Sequence, residues 1–118
     1  MSSTELAQTI HRQALEIVGR FKRCEIDLLE ILEKADTHKV FYALGYGSLF
    51  EYASRGLGLS EDVAYIFINV VRKSREVPAL KEEIRKGTIT VSKARCITPV
   101  LKGNNQDHWL ALAKNKKK

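Results

Sequence analysis

The sequence predicts an all-α protein, a multi-helix bundle with a helix-turn-helix-like core and a long N-terminal helical segment. Three observations carry that prediction. Apolar residues recur at spacings of three, four and seven over the first third of the chain, the period of one helix face. Only two prolines interrupt the 118 residues, Pro78 and Pro99, and β-branched runs are short. Capping residues precede the periodic stretches and glycines follow them. The length suits one domain, and it allows a core that needs neither disulfides nor metals to hold it.

In order, Ser3 or Thr4 is placed to cap the first helix, with Glu5 in its opening turn, where the helix dipole favours a carboxylate. Leu6, Ile10, Ala14, Ile17, Phe21, Leu28 and Ile31 or Leu32 form its apolar stripe, read as a packing face or a dimer seam. Gly19 leaves two options open: one long helix to residue 36, or a pair over 4–20 and 23–36. Asp36 or Thr37 then caps a short helix carrying Val40, Phe41 and Leu44, ended by Gly45. Ser48 caps a helix from Leu49 to Arg55, with Glu51 completing a capping box. Gly56 and Gly58 turn the chain, and Ser60 caps a helix running from Glu61 to about Arg75. Pro78 suits the first turn of a helix over 79–86 that Gly87 stops. Thr90 caps a further helix, 91–97. Trp109 anchors one or two turns between His108 and Ala113. The expected organisation is therefore a single helical domain over 1–113, with the long segment at 1–36 and the core at 37–101. The remaining stretch, 114–118, reads as a basic disordered tail.

The net charge of +6 is unevenly placed. Residues 1–59 hold 7 Lys or Arg against 8 Asp or Glu, whereas residues 60–118 hold 13 against 6. A basic half points to a polyanion such as nucleic acid or an anionic surface; the partner expected is double-stranded DNA. Cys24 and Cys96 lack metal-ligand spacing and a disulfide framework, which suggests reduced thiols and a cytoplasmic setting. No stretch approaches the ~18 apolar residues of a membrane span. His11, His38 and His108 lie far apart, and no nucleophile elbow, phosphate loop or paired Cys motif occurs. The expectation is a non-enzymatic chain with no metal, no cofactor and no small-molecule substrate.

The segment FEYASRGLGLSEDVAYIFI, residues 50–68, has the layout of a helix-turn-helix: short helix, glycine turn, capped longer helix. Ala53 is expected where the two helices cross, Leu57 and Leu59 in the turn, and Ala64 and Phe67 inward. Tyr65 and Asn69 are candidates for stacking, backbone or base-edge contacts. Arg72, Lys73, Arg75, Lys93, Arg95 and the lysine tail are candidates for phosphate contacts. Glu61 and Asp62 oppose that use, and Tyr65 to Val71 is apolar almost all round. A helix of that kind is either central in its own fold or half of an interface. Ile66, Phe67 and Ile68 are the interface candidates, and a homodimer follows from them. The alternative function is accordingly a dimerisation or protein-interaction module.

The stretch LGYGSLFEYASRGLGLSEDVAY, residues 44–65, resembles the helical region found ahead of the HNH nuclease module in many bacterial proteins. The continuation REVPALKEEIRKGTITVSKA, residues 75–94, fits the same pattern. Its capped helix, Gly-Ile-Thr break and Lys-Ala helix are also similar to the DNA-binding region of ParB-type partition proteins. The resemblance implies a DNA-associated accessory domain of a nuclease system. Two departures stand out: nothing after Pro99 supplies His-Asn-His ligands, and Ile66 and Phe67 stand where that family commonly has arginines.

Overall fold

The computed structural model describes residues 2–115, which form seven α-helices and no strand among the described residues. Helix α1 runs unbroken through Gly19 from Ser3 to Thr37, so the two-helix option does not occur. Its cap lies one residue earlier than expected. The Ser2 hydroxyl accepts the Glu5 N–H at 3.1 Å, and the Glu5 carboxylate accepts the Ser2 N–H at 2.9 Å. Hydrogen bonds to the carboxylate from the Ser2 backbone and then its side chain hold the Glu5 carboxyl below its ordinary pKa. At ~1.5 Å per residue, 35 residues account for most of the molecule's 56 Å long axis.

Helix α2, Val40–Ala43, starts from Lys39 rather than from Asp36 or Thr37, and Lys39 is held in the left-handed region at φ 52°. Ser48 caps helix α3, Leu49–Glu51, by accepting the Glu51 N–H at 3.0 Å. The Glu51 carboxylate reaches past Ser48 to the Gly47 N–H at 2.7 Å, so the capping box closes one residue upstream. This bond, then Arg55, lowers the Glu51 pKa. The expected α-helix to Arg55 stops at Glu51; Tyr52–Gly56 is a wider π turn in which the Leu57 N–H donates to the Tyr52 carbonyl at 2.9 Å. A Cβ at Gly56 would lie 3.1 Å from both the Tyr46 and Tyr52 side chains, so the two rings would have to shift to admit one. Leu57 is exposed rather than filling the turn, while Ala53 and Ala64 are buried as expected.

Helix α4, Glu61–Glu76, is capped by Ser60 and lies at the centre, against α1, α3, α5 and α6. Helix α5 spans Pro78–Lys86, α6 Val91–Ile97 and α7 Gln106–Asn115. Lys114 and Asn115 thus belong to a helix rather than to a tail, and residues 116–118 lie outside the described residues. The core gathers Leu29 and Leu32 of α1, Leu49, Phe67, Ile68, Val70 and Val71 of α4, and Leu80, Ile84, Ile97, Leu101 and Leu110. Phe67 is only 6% exposed and Ile68 4%, and Ile66 is half-buried against the same core. Phe67 and Ile68 therefore pack within one chain and are not available as an interface. Of the two options for an all-round apolar helix, the central position is realised.

Among the described residues one buried side-chain polar atom lacks a partner, the Ser74 hydroxyl of α4. An unpaired buried hydroxyl costs free energy, and alanine is also the better helix former. Ser74→Ala is expected to stabilise the chain by about 1 kcal/mol, read as a rise in denaturation midpoint; a lower midpoint would refute it.

Candidate nucleic-acid interface

Gly87 ends α5 in the left-handed conformation, at φ 85°, with its N–H donating to the carbonyls of Glu83 and Ile84. Thr88 donates its hydroxyl to the Glu83 carbonyl at 2.9 Å and to its carboxylate. With the Lys114 and Lys86 charges acting in the same direction, this holds the Glu83 carboxyl below its ordinary pKa. Ile89 is buried and pins the connection, and the Thr90 hydroxyl accepts the Lys93 N–H at 3.2 Å to open α6. These local bonds fix α6 at the surface of the bundle.

Val91, Ala94 and Ile97 bury one face of α6. The other face presents Ser92, Arg95 and Cys96, with Lys93 half-buried beside them. Depressions flank α6 on both sides. Towards α4, a cleft of about 500 Å³ is lined by Tyr65, Ile66, Asn69 and Arg95, with Asp62, Thr98 and Pro99. Towards α1 and α7, a groove of about 690 Å³ is lined by Lys22, Lys93, Arg95, Cys96, Trp109 and Leu112 among others. Arg95 borders both.

The sequence candidates accordingly divide into two groups. Tyr65, Asn69 and Arg95 share one cleft, Lys93 joins Arg95 in the groove, and Arg72 is exposed one turn beyond Asn69 on α4. None of Arg72, Lys93 and Arg95 makes an ion pair among the described residues.

Lys73 and Arg75 are not placed for phosphate contact. The Lys73 side chain, 15% exposed, donates to the Leu101 carbonyl at 2.8 Å and to Glu76 at 3.0 Å. Arg75 clamps the end of α1, pairing with Asp36 and donating to the Glu33 carbonyl at 3.2 Å and the Thr37 hydroxyl at 2.9 Å. Lys73 is paired with the nearby Glu76 and tied to the distant Leu101 carbonyl, and Arg75 is paired with Asp36 at the far end of α1.

Lys22 is not a sequence candidate, and the sequence marks Trp109 only as the anchor of the last helix, not as part of a groove. Lys22 lies in α1, and only the packing of α1 against the distant α6 turn brings it to the groove; no local pattern marks it. Asp62 contributes a negative charge to the Arg95 cleft, which limits how far phosphate approaches there. Half-buried Glu25 lies one turn after Lys22, and burial raises its carboxyl pKa against the opposing pull of Lys22. Cys24 and Cys96 are both exposed free thiols. Among the described residues no group of three or more His, Cys, Asp or Glu side chains gathers to hold a metal ion, and no helix is long and apolar enough to cross a membrane. No protein-family model, curated protein or solved structure matches the chain.

Proposed function

We propose that the chain is a non-enzymatic DNA-binding helical module that meets duplex DNA with the exposed face of α6. The observation that carries this reading is the pair Lys93 and Arg95, unneutralised on a surface helix, with Tyr65, Asn69 and Arg72 on the neighbouring face of α4. The connection α5–Gly87–Thr90–α6 serves as the helix-turn-helix, in place of the 50–68 segment, whose second helix is committed to the core. A helix of seven residues is ~10 Å long, short enough to lie across a major groove ~12 Å wide. Lys93, Arg95 and Arg72 neutralise phosphates, and Asn69 or Tyr65 supplies hydrogen bonding or stacking at its edge. The likeness of residues 75–94 to the helical region ahead of HNH modules, and to the ParB-type region, supports the same reading because it falls on α5 and α6.

The test is fluorescence anisotropy with a random-sequence duplex across a salt series. Three to four phosphate contacts predict a log–log slope of roughly −3. A flat line, or no binding at low salt, would remove the proposal and leave the basic half as a solubility surface.

A further inference from the structure

The first two-thirds of α1 stands away from the core with its apolar stripe uncovered. Every residue from Ile10 to Cys24 is exposed, among them Ile17 at 57% and Phe21 at 62%. In proteins most helical stability comes from packing an apolar face, and here that face is uncovered. The stripe is more regular than a core face requires. Ala7, Ala14, Phe21 and Leu28 fall at one heptad position, and Ile10, Ile17, Cys24 and Ile31 fall at its partner, alternating by four and three over more than three heptads. This is the a/d seam of a coiled coil.

We propose that this seam is covered by a second copy of the chain, with α1 pairing in parallel and in register against α1 of the other protomer.

One g–e pair of opposite charges suits a second copy as the occupant. Arg20 occupies a g position, and Glu25, five residues on, occupies the next e position, the two sites that face each other across a parallel pair. They carry opposite charges, and neither makes an ion pair within the chain among the described residues. Leu6, Ile10, Ile17, Val18, Phe21 and Ile31 are each about half exposed, leaving on the order of 100 Å² apiece for a partner to cover. With Ala7, Ala14 and Cys24 added, the seam approaches the ~800 Å² per partner of an ordinary stable interface. The parallel register also sets Cys24 opposite its own counterpart at a d position.

Sedimentation equilibrium of the full chain reads the association. The wild type is expected at twice the 13.4 kDa chain mass, and Ile17→Asp is expected to weaken dimerisation at least 100-fold. Because Ile17 touches no core residue, near-UV dichroism of that variant should keep the tertiary signal of the bundle. Arg20→Glu is expected to weaken the dimer, and Arg20→Glu combined with Glu25→Arg to restore it. A short bismaleimide should crosslink wild type and Cys96→Ser but not Cys24→Ser. A wild type that stays monomeric at 100-fold the working concentration, or an Ile17→Asp chain that stays dimeric, would overturn the proposal. A dimer that crosslinks only through Cys96 would overturn the parallel register.

Discussion

Phe67→Asp is expected to abolish the cooperative unfolding transition and leave a largely unfolded chain at 25 °C. Phe67 is 6% exposed at the centre of α4, the helix that contacts α1, α3, α5 and α6. Truncating a buried phenylalanine costs about 3–5 kcal/mol, and a buried carboxylate without a partner adds several kcal/mol more. That total is comparable to the ~5–15 kcal/mol by which small domains are stable. Far-UV dichroism followed through a thermal scan checks it. The neighbouring variant Tyr65→Ala, at a position 64% exposed, should change stability by no more than about 0.5 kcal/mol. A Phe67→Asp chain that stays folded while losing a dimer would instead place α4 at an interface. The same charge introduced at Ile17 of α1 should spare the bundle, so the pair of variants separates core from seam.

What the sequence disclosed was whatever a few adjacent residues decide. Ser60, Pro78, Gly87 and Thr90 were readable because each acts on backbone groups within four residues of itself. The all-α class followed from the same local signals. Apolar spacing along α1 marked a real stripe, but spacing does not say whether the covering surface belongs to the same chain; here the stripe meets the core only from about Leu28 onwards. For α4 the difficulty was reversed. A helix apolar on nearly every side fits a central position or an interface, and only the placement of α1, α5 and α6 around it decides. Lys73 and Arg75 looked like the phosphate contacts beside them because a cation carries no local sign of its partner. Glu76 lies only three residues from Lys73, but the Leu101 carbonyl that also holds Lys73 lies 28 residues away, and Arg75's acceptors at the end of α1 lie about 40 away. The π turn at Tyr52–Gly56 was hidden for a related reason: its wide bond is accommodated by Tyr46, which packs edge-on against Tyr52 at 5.7 Å from outside the turn.

That division of the cations sets up the second large effect. Lys93→Ala combined with Arg95→Ala is expected to weaken duplex binding about 60-fold at 0.1 M salt and to reduce the salt slope by about 1.8, since each phosphate contact contributes ~0.9 to the slope and so a factor of ~8 at that concentration. The fold should survive. Neither side chain makes an ion pair among the described residues, and Thr90 caps α6 through the backbone N–H of residue 93, which alanine retains. Lys73→Met and Arg75→Ala should do the opposite, lowering the melting temperature while leaving the slope where it was, because their charges are spent on Leu101, Glu76, Asp36 and Thr37. Anisotropy titrations at four salt concentrations, paired with thermal melts, read both quantities on every variant. Unchanged affinity and slope in the Lys93/Arg95 variant would take α6 off the DNA. A slope that falls in the Lys73 and Arg75 variants, at constant melting temperature, would mean that those ion pairs open to reach phosphate. The two sets differ only in what each cation already holds, so the comparison tests the neutralisation argument itself as well as the position of α6.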